Sequence, residues 1–278
     1  MRPVDAVTPV VAGHVRIKEA QVAGRGPILL RHIRTMLSRS WTSVLPIYCW
    51  VIDHPDGRIL VDTGPRPTPD WTFPRYHPYY PLSYRTRAGP AGGLTGALAD
   101  SGRPADTIDA VILTHCHPDH AEGLDRIPDT VVYIEEGEYA HARSLMGRFW
   151  GSHPSLAPTT DRAFPVGLDD GPIGPFDRSH RFDAYPGITL IPTPGHTANH
   201  CSVVVEGEGP TVVLAADACL SLDQLETQQA DGVATRVRAG RDTLARLDRW
   251  RREEDIIILP SHDPRGLDHL ANARSQKG

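Results

Sequence analysis

The chain has 278 residues, 40% hydrophobic and 23% charged, enough to bury roughly three quarters of its unfolded surface, which excludes a disordered or fibrous protein. A net charge of −5, with no run of five like charges, offers no basic stripe to a phosphate backbone, so nucleic acid is not an expected partner. No stretch of 18 apolar residues is present, so no spanning helix and no membrane partner are expected.

Residues 1–20 lack the basic start and apolar middle of a signal peptide, and the expected location is the cytoplasm. Cys49, Cys116, Cys201 and Cys219 form no CxxC pair and read as buried thiols rather than a disulfide framework. Fourteen histidines against three methionines direct attention to where the imidazoles sit.

In chain order, residues 44–53 (VLPIYCWVID) are rich in β-branched and aromatic side chains. The turn His54-Pro55-Asp56-Gly57 follows, and residues 58–62 (RILVD) resume the strand, a β-hairpin. Its near-continuous apolar character predicts burial on both faces, with a second sheet inside and helices outside. Residues 65–90 hold prolines and a crowd of aromatics (Trp71, Phe73, Tyr76, Tyr79, Tyr80, Tyr84) and read as a long irregular loop facing substrate.

A helix is predicted over 92–100, a buried strand over 109–114 (DAVILT), a strand over 131–134 and a helix from about 135 to 149. Residues 150–186, again rich in Pro and Gly, read as a second irregular wall. Strands are predicted at 188–192, 201–206, 211–216 and 255–260, with an amphipathic helix over 234–252. The alternation of strands and helices points to an α/β protein, and with no linker or repeat the chain reads as a single domain over 1–278.

The chemistry concentrates after the strand DAVILT, where the chain reads His115-Cys116-His117-Pro118-Asp119-His120. Imidazole and carboxylate suit Zn²⁺ and its neighbours, and a turn directly after a buried strand holds several side chains at one point. His196, Asp217 and His262 each follow an apolar strand as well. Strand ends converging on one edge of the core would gather all seven groups. His14, His32, His54, His77, His141, His153, His180 and His269 show no ligand spacing and read as surface or turn residues; His200 reads as structural or as a support behind the ligands.

This pattern of HxHxDH followed by a distant His, Asp and His, with LVDTG at 60–64 and TPGHTANH at 193–200, resembles the metallo-β-lactamase superfamily. The resemblance spans roughly residues 48–263 and implies a four-layered αβ/βα sandwich with a dinuclear site at its edge. It implies one metal on His115, His117 and His196, the other on Asp119, His120 and His262, with Asp217 bridging and Asp62 orienting a ligand imidazole. The implied cofactors are two divalent ions, Zn²⁺ first and Fe, Mn or Co as alternatives. The implied chemistry is hydrolysis by a metal-bridging hydroxide, with Asp119 passing a proton to the leaving group.

Within the superfamily the chain is most similar to the N-acyl-homoserine-lactone lactonases, in its length, in Ser261-His262-Asp263 and in the Ala-Cys pair after Asp217. Those lactonases usually carry a tyrosine three residues after the bridging Asp, where this chain has Leu220; the tyrosines of 76–84 are candidates to supply that hydroxyl. The expected substrate is a lactone or related carboxylic ester with apolar character, and a homodimer is compatible with the exposed aromatic loop. A glyoxalase-II-like thioesterase, a phosphodiesterase, a mononuclear-iron persulfide dioxygenase and a metal-stabilised scaffold without turnover are the competing readings. The thioesterase would be expected to carry a further helical domain after His262, and the phosphodiesterase a basic exosite.

Overall fold

The computed structural model describes residues 1–127, 129–149 and 162–276. Among the described residues, twelve strands run in chain order: β1 (Val7–Ile17), β2 (Leu45–His54), β3 (Gly57–Val61), β4 (Tyr84–Ala88), β5 (Ala110–Leu113), β6 (Val131–Glu135), β7 (Ala163–Val166), β8 (His180–Arg181), β9 (Ile188–Pro192), β10 (Cys201–Val205), β11 (Thr211–Ala216) and β12 (Ile256–Pro260). Among the described residues they form a seven-stranded sheet in the order β4-β1-β2-β3-β5-β6-β7 and a five-stranded sheet in the order β12-β11-β10-β9-β8. Both sheets are mixed: β2 and β3 are antiparallel, β3, β5 and β6 parallel, and β11 and β12 parallel.

The alternation of side chains across each strand separates the layers. Trp50, Ile52, Ile59, Val61 and Ile112 of the large sheet share one buried cluster with Leu190, Val203, Val205, Leu214 and Leu259 of the small one, so the sheets pack face to face. Cys49, Val51, Leu60, Val111 and Leu113 point the other way, onto Leu94 and Leu98 of the helix Leu94–Asp100. On the far side, Ile191, Val204, Val213 and Ile258 meet Leu244, Leu247 and Trp250 of the helix Val237–Glu253, whose buried positions recur at three- and four-residue spacing. The result is the expected four-layered sandwich of helices, sheet, sheet and helices.

Three local expectations need correction. The loop predicted at 65–90 ends in the short helix Tyr80–Ser83 and in β4, which pairs antiparallel with Gly13–Ile17 of β1. Past Pro81 the run YRTRA is free to extend, with Tyr84 and Thr86 turned inward while Arg85 and Arg87 cover the rings of Trp41 and Trp71. The helix predicted over 135–149 is two helices, Glu136–Ala142 and Leu145–Phe149. It breaks where the Ser144 hydroxyl donates to the His141 carbonyl (2.7 Å) and then accepts the Gly147 N–H (2.9 Å).

The third concerns 150–186. Residues 150–161, with Trp150 and His153, lie outside the described residues. The described remainder holds β7 and β8; Phe182 joins the inter-sheet cluster and Phe176 lies against Trp250, while Phe164 is exposed. No described residue of this segment lines the cavity introduced below.

Candidate metal centre

Five strands of the two sheets end at one edge, and each delivers a polar side chain there. The chain leaves β3 through Asp62, β5 through Thr114 and His115, β9 through Thr193 and His196, β11 through Asp217, and β12 through Ser261 and His262. Two of these exits use a left-handed backbone on a residue with a side chain, Asp62 at φ 60° and Ala216 at φ 46°. Such conformations cost of order 1–3 kcal/mol each and persist only where the surrounding fold enforces them. At Ala216 the strand pairing also slips a residue against β12, and the next residue is Asp217.

The seven predicted side chains fall into two groups that share a boundary. His117 Nδ1 lies 3.1 Å from His115 Nε2 and 2.8 Å from His196 Nε2. His262 Nε2 lies 3.6 Å and His120 Nε2 3.9 Å from Asp119 Oδ2. Asp217 stands between: Oδ2 is 3.2 Å from His196 Nε2, while Oδ1 is 3.1 Å from His262 Nε2 and 3.3 Å from His120 Nε2. Nitrogens about 2.0 Å from a tetrahedral ion sit roughly 3.3 Å apart, close to these spacings, and each group's donor atoms lie within 4.8 Å of one another.

His120 Nε2 and Asp217 Oδ1 are buried and make no hydrogen bond. Orphaned buried polar atoms are costly, and a cation between them satisfies both. The donor set of imidazoles and carboxylates therefore fits two divalent ions.

The outward nitrogens fix how the rings turn. His120 Nδ1 lies 2.7 Å from Asp62 Oδ2, and the same carboxylate accepts the Thr114 N–H (2.9 Å) and hydroxyl (2.9 Å). His262 Nδ1 meets the Pro46 carbonyl at 2.8 Å, and His115 Nδ1 the Thr114 hydroxyl at 3.1 Å. His196 Nδ1 meets Asp231 Oδ2 at 3.1 Å. Carboxylates and carbonyls in these places hold a ligand imidazole in the tautomer whose other nitrogen faces the ion. Asp62 was expected in this role; Asp231, in the loop after the helix Leu222–Thr227, carries no local sequence pattern and was missed.

Burial and the neighbouring imidazoles, His120 foremost for one ring and His196 for the other, hold His115 and His117 well below the ordinary imidazole range, neutral with free lone pairs. Burial works the same way on His120, but the carboxylates of Asp217, Asp62 and Asp119 outweigh it and hold that ring well above. His196 is likewise raised to about 9 against its burial, by Asp231 and Asp217. Asp217, despite burial, is held well below the carboxylate range by His120, His262 and His196.

Two further side chains brace the loops. Glu138 is fully buried; it accepts the Cys116 N–H (3.1 Å) between two predicted ligands and the Thr197 hydroxyl (2.8 Å) beside a third. Burial pushes its carboxyl up to about 7. His200 stands 4.9 Å from the His115 ring with Nδ1 on the Thr193 hydroxyl, pushed down to about 3 by burial and His196, outside both donor groups as expected.

A cavity of about 470 Å³ opens over the centre, with His117, Asp119, His196, Asp217 and His262 at its floor. Leu220 lines it, and so do Tyr79, Tyr80 and Tyr84. The Tyr84 hydroxyl is buried without a hydrogen-bond partner. His32 and His77, read from sequence as surface residues, line the wall instead; Trp71 and Phe73, though in the aromatic stretch, pack against Arg87 and Arg85.

Two packed mixed sheets with paired donor groups at one strand edge define a dinuclear metallohydrolase-type scaffold. The chain belongs to the metallo-beta-lactamase superfamily, whose family model matches residues 42–262. It is 24% identical over 223 residues to an N-acyl homoserine lactonase of a Bacillus species, covering 76% of this chain and 80% of that one. Its fold superposes with TM-score 0.72 on a Bacillus thuringiensis AiiA variant solved with N-decanoyl-L-homoserine at its active site (19% identity, 95% of each chain). It also superposes with TM-score 0.65 on AidC, described as a dizinc quorum-quenching lactonase (15% identity, 93% of this chain, 87% of that one).

Proposed function

We propose that the protein opens a lactone of the N-acyl-homoserine type, or cleaves a related carboxylic ester, with two divalent ions held by His115, His117 and His196 on one side and Asp119, His120 and His262 on the other. The observation that carries this reading is the division of Asp217, one oxygen toward each group. When bound, the ions supply a water acidic enough to attack near neutral pH and a Lewis acid for the carbonyl. Zn²⁺ suits the donor set, with Fe, Mn and Co as alternatives.

The chain's own side chains do the rest. Asp119 is 6% exposed, faces the cavity and is the carboxylate not shared between the groups, which suits it to hand a proton to the departing alkoxide. The tyrosines that line the wall stand in for the hydroxyl missing at Leu220, Tyr79 and Tyr84 first because their buried hydroxyls have no hydrogen-bond partner. Apolar walls of Val15, Ile17, Leu45 and Leu220 suit an aliphatic acyl group. Four unpaired cysteines suit a reducing cytoplasm, where turnover would remove an acyl-lactone signal, a quorum-quenching role. One domain carries the whole activity.

The test pairs metal content by mass spectrometry with hydrolysis of aliphatic lactones, an aryl ester, a thioester and a bis-aryl phosphodiester. Two ions per chain, with lactone turnover abolished in Asp217→Asn, support the reading. Phosphodiester or thioester turnover alone moves the assignment to another branch of the superfamily, and one iron per chain without hydrolysis refutes it.

A further inference from the structure

The helix Ile28–Leu37 is inside out. It buries Arg31 and Thr35 and leaves Leu29, Leu30, Ile33, Met36 and Leu37 at 68, 49, 38, 36 and 76% exposure. The cause is polar: the Arg31 guanidinium donates to the carbonyls of Asp231 (3.3 Å), Gly232 (3.1 Å) and Ala234 (2.8 Å). The apolar stripe, which an amphipathic helix normally turns to the core, is therefore held outward. Counting roughly 200 Å² for a fully exposed Leu, Ile or Met, these five with Leu82 (48% exposed) present on the order of 600 Å² of contiguous apolar surface, at the top of what a monomer exposes.

We propose that this face is covered by a second copy of the chain, packed about a twofold axis, and that the second copy's apolar side chains close the mouth of the substrate cavity. Three observations favour a second copy. The apolar area, with its rim, approaches the about 800 Å² that each partner gives to a stable interface. The helix and its flanks, residues 20–44, expose Arg25, Arg34 and Arg39 and contain no lysine, aspartate or glutamate, in keeping with an interface, which is enriched in Arg and Met and depleted in Lys, Asp and Glu. Leu29, Met36 and Leu82 are both exposed and part of the cavity wall, so one apolar surface runs from the site to the outer face. A lone chain leaves that wall open on one side.

The interface stands by itself, while the role in substrate binding rests on the hydrolase reading above. The test uses the full-length, metal-loaded protein. Analytical ultracentrifugation at micromolar concentration gives twice the monomer's 30.5 kDa. The Leu30→Glu/Leu37→Glu variant, changed at two positions outside the cavity wall, falls to the monomer mass with metal content per chain unchanged. Its KM for a decanoyl lactone rises at least tenfold, while its turnover of a short aryl ester stays within twofold. Leu37→Cys, tested in case the charged variant does not fold, cross-links under mild oxidation, since the four native thiols are buried.

A wild-type chain that runs at the monomer mass of 30.5 kDa, or a dimer that survives both glutamates, overturns the proposal. So does a monomeric chain that sediments with phosphatidylcholine–phosphatidylglycerol vesicles, which would make the face a lipid contact. A dimer that dissociates in the variant but opens no lactone upholds the interface and refutes the lactonase reading instead.

Discussion

Asp62→Asn isolates what one buried carboxylate does for the metal centre. Asp62 is 1% exposed and fully committed: Oδ1 accepts the Thr114 N–H at 2.9 Å, and Oδ2 faces His120 Nδ1 at 2.7 Å. Asparagine has the same shape but a single acceptor. If its oxygen stays on the backbone N–H, its amide nitrogen is pressed against His120 Nδ1–H, donor to donor. The ring escapes by moving its proton to Nε2, the atom aimed at Asp217 and Asp119, and a protonated Nε2 cannot ligate.

The loss expected from such a partner is 10- to 100-fold in metal affinity, about 1.4 to 2.7 kcal/mol, confined to the ion proposed for Asp119, His120 and His262. Titrating the variant with a chelator of known affinity reads this directly: one ion leaves 10- to 100-fold more easily and the other stays within about threefold. Equal affinity for both ions in variant and wild type would refute the claim that Asp62 sets the His120 tautomer.

Three further outcomes follow from the braces around the centre. In metal-free protein Glu138 sits at about 7 against about 4.3 when unfolded, so the folded state holds the extra proton between those values and the stability it confers is lost as pH rises toward 7. Glu138→Gln, which keeps an acceptor for the Cys116 N–H, removes that loss. The stability gap between variant and wild type should shift toward the variant by on the order of 2 kcal/mol from pH 5 to pH 8 in urea unfolding, and a pH-independent gap contradicts the burial argument.

Gly195 has φ 151°, and a methyl there would meet Gly240 Cα at 2.3 Å. Gly195→Ala therefore forces the His196 loop off the helix Val237–Glu253, at about 2 kcal/mol or more, seen as a lower urea midpoint with weakened metal retention. Arg31→Ala strips three carbonyls of their donor and should cost about 3 kcal/mol, read as a fall in thermal midpoint; an unchanged midpoint would mean that water replaces the guanidinium.

Legibility followed the range of the forces involved. The buried strands were plain because Val51, Leu60, Val111 and Val213 sit in short runs of β-branched and leucine residues that only a two-sided sheet can bury. HxHxDH was plain because a turn after a strand needs its ligands within a few positions. β1 was missed because Pro9 argues against a strand. It is tolerated because β4 pairs only with Gly13–Ile17, which leaves the Pro9 side of the ladder open. The helix Ile28–Leu37 was missed for the opposite reason: its partner is a set of carbonyls some 200 positions away, so its apolar stripe marks the wrong face. Asp231 and Glu138 are single carboxylates whose meaning lies wholly in long-range hydrogen bonds.

Those long-range bonds also tie the outer wall of the cavity to its floor. Besides Arg31, the segment before the helix donates and accepts across the same seam: Gly24 N–H to the Ala230 carbonyl (2.8 Å), Gly232 N–H to the Gln21 carbonyl (2.6 Å), and the Gln224 amide to the Val22 carbonyl (2.8 Å). The loop so gripped carries Asp231, whose other oxygen takes the Val233 N–H (2.8 Å) while the first holds His196. Covering the exposed leucines would restrain the helix. Because its attachments are hydrogen bonds of fixed direction rather than slack apolar packing, that restraint reaches the imidazole of one metal group within two residues, through Arg31 and Asp231. The other group hangs from Asp62 and the Pro46 carbonyl, on strands of the large sheet that this seam does not touch. The two halves are not fully separate, because their ligands share the turn 115–120 and the Thr114 hydroxyl links Asp62 to His115; Asp217, which follows the left-handed residue Ala216, joins them a second time.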